Sequence, residues 1–110
     1  MNIKVPTVLL DGTVLALLDE HDLYGYAITK QVQKYLNVSE STMYPVLRRL
    51  QKDKLLTTYD EPFEGRNRRY YQITEAGKIN LKEIKLTWQN FSGAVDTLLL
   101  SKENGGETDA

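Results

Sequence analysis

Residues Val38 to Thr74, VSESTMYPVLRRLQKDKLLTTYDEPFEGRNRRYYQIT, decide the fold. At about 100° per residue, Met43, Val46, Leu47 and Leu50 gather on one side of a helix, and Ser41, Tyr44, Pro45, Arg48 and Lys52 on the other. Such a helix has one face for a core and one for a partner. Ser39 suits its N-cap, because the hydroxyl can accept a backbone N–H that the first turn leaves unpaired, and Glu40 sets a negative charge at the positive end of the macrodipole. Pro45 is discordant: inside a helix it deletes one hydrogen bond to residue i−4 and costs about 3 kcal/mol. Either the helix bends there or it begins later. After Lys54 the period falls to two, with Leu55, Thr57 and Tyr59 on one face of a strand and Leu56 and Thr58 on the other. Asp60 to Gly65, with a Pro, a Gly and acids, reads as a turn, and Arg68 to Ile73, rich in Tyr and Ile, as a second strand.

Helix, helix, strand, basic turn, strand is the order of a winged helix-turn-helix, whose second helix enters the major groove while the hairpin lies along the backbone. The helix supplies Arg48, Arg49 and Lys52, and the turn supplies Arg66, Asn67, Arg68 and Arg69. Neutralising phosphates requires charge grouped in this way. A charge run standing alone is more often a solvated face. Two such runs on adjacent elements, behind a helix-turn-helix pattern, favour DNA.

The chain has 110 residues and a net charge of −1. One domain with a modest core is expected. The near-neutral total conceals an uneven distribution. Tyr24 to Ile73 holds nine Lys and Arg against five Asp and Glu, whereas the remainder holds five basic and ten acidic residues. With no Cys, disulfides, thiol nucleophiles and zinc-thiolate sites are excluded. No secretory signal or long apolar run is present, so a soluble, cytoplasmic protein is expected.

Before the central stretch, Met1 to Val5 reads as a short arm and Pro6 as part of a first helical turn. Val8, Leu9, Leu10, Val14, Leu15, Leu17 and Leu18 cover more than one stripe of a helix, which implies burial both in its own domain and against something else. Asp19, Glu20 and Asp22 close that helix around His21, which reads as a solvated turn residue because no second His or Cys could share a metal. Tyr24 to Leu36 is the next helix, with Ala27, Ile28, Val32, Tyr35 and Leu36 as its apolar stripe. Lys30 and Lys34, four apart, either face phosphate together or form a solvated face.

Leu23-Tyr24-Gly25-Tyr26-Ala27-Ile28, then Ser41-Thr42-Met43-Tyr44-Pro45 with Leu47, Arg49 and Leu50, then Gly65-Arg66-Asn67-Arg68-Arg69-Tyr70-Tyr71 and Ile73-Thr74-Glu75-Ala76-Gly77 occur in this order. In that succession, over roughly residues 6 to 100, the chain resembles the PadR family of transcriptional regulators, and its single C-terminal helix resembles the smaller subfamily. The resemblance implies a dimeric winged-helix repressor whose last helix forms the dimer interface. It also implies that Tyr44 and Pro45 are the family's pair on the recognition helix and Gly65 to Arg69 its wing tip. Lys54 departs from the pattern, standing where many members have Gly. If that position is left-handed, Lys54 costs about 1 kcal/mol.

The last helix is legible without the family. Thr74 is a candidate N-cap and the helical pattern runs to Ser101, about 40 Å, longer than a domain of this size can cover. Leu81, Ile84, Trp88, Phe91, Val95 and Leu98 follow the 3, 4 spacing of a coiled-coil seam. A partner helix is expected, and a homodimer supplies one. Trp88 either anchors that interface or stacks a planar hydrophobic effector at the dimer centre, as the resemblance to small PadR-like regulators implies. Lys102 to Ala110 reads as a frayed, disordered tail.

The expected architecture is therefore mostly α with a two-stranded β-wing. A winged helix-turn-helix DNA-binding domain spans 1–74, a dimerisation helix 75–101 and the tail 102–110. Ser41, Thr42, Tyr44 and Arg48 are expected at base edges, beside Pro45. Lys30, Lys52, Arg66, Arg68 and Arg69, with Asn67 among them, are expected at phosphates or the minor groove. The target is a pseudo-palindromic double-stranded operator. A winged-helix protein-interaction module without DNA binding is the alternative, and a basic wing speaks against it. No metal, cofactor or catalytic constellation is expected.

Overall fold

The central helix, α3 (Glu40–Lys52), begins where Ser39 indicates, with the Ser39 hydroxyl accepting the Thr42 backbone N–H at 3.2 Å. It runs unbroken through Pro45, so the later start is excluded. The lost hydrogen bond would have ended on the Ser41 carbonyl, and both Ser41 and Pro45 are exposed, so water can take its place. In the computed structural model residues 1–101 are described, and the expected tail 102–110 lies outside the described residues. The other elements are α1 (Thr7–Glu20), β1 (Leu23–Tyr24), α2 (Gly25–Gln33), β2 (Leu56–Phe63), β3 (Arg66–Ile73) and α4 (Glu75–Leu100).

The core forms where α1 meets α2, α3 and α4. Leu10, Val14, Leu15 and Leu18 of α1 pack with Ile28 and Val32 of α2, Met43, Val46, Leu47 and Leu50 of α3, Leu56 of β2, and Leu81 and Ile84 of α4. The apolar face read for α3 is thus the buried one. Gly12 allows α1 and α4 to close, since a Cβ there would stand 2.7 Å from Ile84 Cγ2. Arg49 leaves the basic face expected of it. Its two guanidinium nitrogens donate to both oxygens of Asp11 at 2.5 and 3.2 Å, clamping α3 onto α1. That hydrogen bond holds the Arg49 guanidinium above its ordinary range, against partial desolvation.

Two expectations about the sheet need correcting. It has three antiparallel strands in the order β1-β3-β2, because Leu23 and Tyr24 pair with Tyr71 and Tyr70 before α2 starts. Tyr24 therefore precedes the helix it was expected to open. A two-residue strand gives no periodicity to read, and the pairing is supplied by residues nearly fifty positions away. The wing is also longer than expected: β2 and β3 stay paired from Leu56↔Ile73 to Phe63↔Arg66. Asp60 to Phe63 belong to a strand, and the turn is Glu64-Gly65 alone. Both turn residues have positive φ, 51° and 79°, as a two-residue hairpin that follows strand twist requires.

At the exit of α3, Lys54 has φ 64°. The Lys54 N–H donates to the Gln51 carbonyl at 3.0 Å and the Leu55 N–H to the Leu50 carbonyl at 2.9 Å, a Schellman closure that favours glycine. Lys54→Gly is expected to raise unfolding stability by about 1 kcal/mol, read as a higher urea midpoint with the slope unchanged.

Thr74 joins this exit to α4. Its hydroxyl accepts the Gly77 N–H at 3.0 Å and lies 2.8 and 3.0 Å from the carbonyls of Lys54 and Leu55, to which it donates. Beyond Ile84, α4 projects from the body, and the chain measures 66 × 30 × 20 Å. Among the described residues no helix is long and apolar enough to cross a membrane.

Candidate nucleic-acid interface

The face of α3 opposite its core residues carries Ser41, Thr42, Pro45, Arg48 and Lys52, all exposed. At the N-terminal end, Ser39 Oγ lies 2.9 Å from Ser41 Oγ and 3.0 Å from Thr42 Oγ1. The three hydroxyls form one cluster over the helix N-terminus, where partial positive charge accumulates. Arg48 and Lys52 lie one turn apart further along, and no ion pair engages either among the described residues. Tyr44 is placed differently: it is half-buried against the core, and its ring lies over Gly25, where a Cβ would stand 3.5 Å from Tyr44 Cε1. Its apolar body holds α3 against the start of α2.

On α2, Lys30 is exposed, with its ammonium 5.2 Å from the centre of the Tyr26 ring one turn before it. In the wing, Arg66, Asn67 and Arg69 are exposed and Arg68 is half-buried. Arg69 stands opposite Asp60 in the ladder, with Nε 3.5 Å from the carboxylate. Both side chains are more than half exposed, so this pair is weak and exchangeable. Arg68 lies over two aromatic rings, its guanidinium carbon 4.1 Å from the centre of Tyr24 and 3.8 Å from that of Phe63.

The same row of rings continues across the sheet. Tyr24 meets Tyr70 edge-on at 5.7 Å, and Tyr70 stacks on Tyr59, also at 5.7 Å. The Tyr59 hydroxyl donates to Asp22 at 2.7 Å, and Gln72 Nε2 donates to the same carboxylate at 3.2 Å. Its own hydrogen bond to Asp22 pushes the pKa of the Tyr59 hydroxyl up to about 12. Asp22, expected only to help close the first helix, instead accepts hydrogen bonds from Tyr59 of β2 and Gln72 of β3.

Sequence reasoning missed Asp11, Asp22, Tyr24, Asp60 and Phe63 as partners of the site's charged and aromatic residues. The signal for Phe63 and Arg68 is their strand alternation, which ending β2 at Tyr59 concealed. No group of His, Asp or Glu among the described residues is placed to hold a metal.

The second surface lies on α4. Trp88 and Phe91 are exposed, with ring centres 6.3 Å apart. With Pro6, Val8, Leu9, Ile84 and Thr87 they line an apolar groove of about 230 Å³. Leu86, Leu98, Leu99 and Leu100 are exposed as well. The expected seam divides: Leu81 and Ile84 are 5% and 8% exposed and belong to the chain's own core. They lie opposite α1, whose Gly12 admits Ile84, and so are not free to meet a partner. Trp88, Phe91, Val95 and Leu98 remain.

Comparison with known proteins bears on the fold and the family. The sequence profile of the Transcriptional regulator PadR-like family matches residues 14–83. Among solved structures, smu.1704 of Streptococcus mutans is 31% identical with a TM-score of 0.85, the alignment covering 99% of this chain and 100% of that one. A PadR-like transcriptional regulator of Bacillus cereus is 35% identical with a TM-score of 0.76, covering 83% and 91%. An uncharacterized protein of Lysinibacillus sphaericus is 33% identical over 95 residues, 82% of this chain and 87% of its own length.

Proposed function

Because this chain belongs to the transcriptional regulator PadR-like family, and is therefore a DNA-binding regulator and not an enzyme, we propose that it works as a homodimeric repressor on a pseudo-palindromic operator. The observation that carries this reading is the division of α3: one side lies wholly in the core, while the other leaves Ser41, Thr42, Pro45, Arg48 and Lys52 free. In this reading Ser41, Thr42 and Arg48 meet base edges in the major groove, with the Tyr44 hydroxyl at the margin of the same face. Lys30 and Lys52 meet phosphates, and Arg66 and Arg69, with Asn67 between the arginines, carry the wing onto the backbone or into the minor groove. The regulator acts in the cytoplasm, where its operator lies.

What supports the dimer is the exposed apolar stripe of α4. A bare apolar stripe containing Trp88, Phe91 and Leu98, continuous with the exposed Val8 of α1, is costly to leave in water. A second copy covers it with the same stripe, as an isologous contact requires. The groove at Trp88, at about 230 Å³, is below the ~300–1,000 Å³ of small-molecule sites. Two such halves facing each other across a twofold axis reach that range. A planar hydrophobic effector between the paired Trp88 rings would then release the operator by favouring one separation of the reading helices over the other.

Salt dependence of DNA binding tests the assignment. Arg66→Ala is expected to weaken binding to all duplexes alike, and to flatten the plot of log K against log salt by about 0.9 per protomer. A slope equal to that of the parent protein would take the wing off the DNA.

A further inference from the structure

Of the three wing arginines, Arg68 alone is half-buried, and its guanidinium carbon lies over two aromatic rings, 4.1 Å from the centre of Tyr24 and 3.8 Å from that of Phe63. We infer that Arg68 is a positioning residue rather than a phosphate ligand. Held against Phe63 near the wing tip and Tyr24 at the start of α2, it braces the wing at a fixed angle to the helix-turn-helix and so aims Arg66 and Arg69. The inference rests on the DNA-binding reading above for its consequence, though not for its geometry.

The sheet makes such a brace necessary. Beside β3 in the sheet, β1 supplies only Leu23 and Tyr24, paired with Tyr71 and Tyr70. From Arg69 outward the wing is a two-stranded ribbon, a form that is marginally stable alone and twists freely. Arg68 is the first residue of β3 beyond Tyr70 on the face that carries the Tyr24 ring. Phe63 lies opposite Arg66, two residues further out on that face. The guanidinium is therefore diagonal to both rings, within the reach of cross-strand neighbours.

A planar guanidinium stacks on aromatic faces, whereas a lysine ammonium is a compact, strongly hydrated point. The far end of the brace is well chosen. Tyr24 is the N-cap residue of α2, and its side chain makes no capping hydrogen bond. The adjacent Gly25 lies under Tyr44 of α3. On its other side Tyr24 meets Tyr70, then Tyr59 and the Asp22 carboxylate. One end of Arg68's row is thus fixed to the helix-turn-helix and the other reaches the wing.

The test combines amide hydrogen exchange of the DNA-free protein with binding to a duplex recovered by selection, for Arg68→Lys, Arg68→Met, Phe63→Ala and the Phe63→Ala/Arg68→Lys pair. The brace predicts that Arg68→Lys and Phe63→Ala each speed exchange of the amides flanking Glu64-Gly65 by about tenfold. Exchange in α1 and α3 should stay as in the parent protein. Each should also weaken DNA binding by about tenfold at every salt concentration. The salt slope should stay unchanged even for Arg68→Met, and the pair should be no worse than either change alone. Phe63 carries no charge, so its loss of binding cannot come from a missing phosphate contact.

Binding and exchange by Arg68→Lys equal to the parent's, or a slope lowered by about 0.9 per protomer in Arg68→Met, would overturn the brace and make Arg68 a phosphate ligand. Were the parent chain to bind no duplex, the exchange data decide alone. Loosening by both single changes upholds the brace, and an unaltered wing removes it.

Discussion

Phe91→Asp is expected to yield a folded monomer that binds its operator at least about a hundredfold more weakly than the parent protein. Phe91 is 61% exposed in the protomer, so its loss leaves no cavity, and far-ultraviolet circular dichroism should be unchanged. In the proposed dimer it lies on the shared face beside Trp88. A carboxylate there would be taken out of water with no partner, close to its own symmetry mate, at a cost of several kcal/mol. The binding penalty follows from the loss of linkage. Two half-sites gripped together benefit from an effective concentration that raises avidity by about 10² to 10⁴. Sedimentation equilibrium and a duplex titration on the same sample check both parts. A variant that stays dimeric would move the interface off this face, and a monomer binding as tightly as the parent would remove the need for a dimer.

Gly77→Ala is expected to destabilise the fold by about 3 kcal/mol or more, lowering Tm by about 12 °C or more for a domain of this size. A Cβ at Gly77 would overlap the Leu55 carbonyl oxygen and stand 2.7 Å from Ile73 Cγ1. The side chain can yield, but the carbonyl cannot readily do so. It already accepts the Thr74 N–H at 3.1 Å and the Thr74 hydroxyl at 3.0 Å, the contacts that join α4 to the exit of α3. The first turn of α4 would have to lift, taking Leu81 and Ile84 with it. Parent and variant should be unfolded at the same protein concentration, because the proposed dimer would make Tm concentration-dependent. A Tm within a few degrees of the parent's would show that this junction is not tightly packed.

The parts of the fold legible in the sequence are those held by local chemistry. Ser39 and Thr74 cap the helices they were expected to cap, because an N-cap depends on residues within one turn. The buried face of α3 follows from its 3.6-residue period. What escaped depends on distant partners. Strand β1 exists because Tyr70 and Tyr71 pair with it, and the outer wing strands continue through Asp60, Glu61 and Pro62 because the ladder and the Glu64-Gly65 turn sustain them despite poor strand propensity.

At the interface the sequence located the cations but not what they touch. Arg48, Lys52 and Arg66 stand exposed, whereas Arg49 belongs to Asp11 and Arg68 to two aromatic rings. Charge runs do not say which members are spent inside the protein. The seam of α4 shows the same ambiguity, since a 3, 4 spacing continues across the point where the helix leaves its own core and its apolar residues become exposed.

The most direct test is selection of bound fragments from a random pool of duplex DNA by the parent protein. The expected result is an enriched inverted repeat whose half-site centres lie about one helical turn apart, with the protein sedimenting on it as a dimer. A pool with no enriched sequence, or a single unrepeated site bound by one protomer, would contradict a symmetric pair of reading helices.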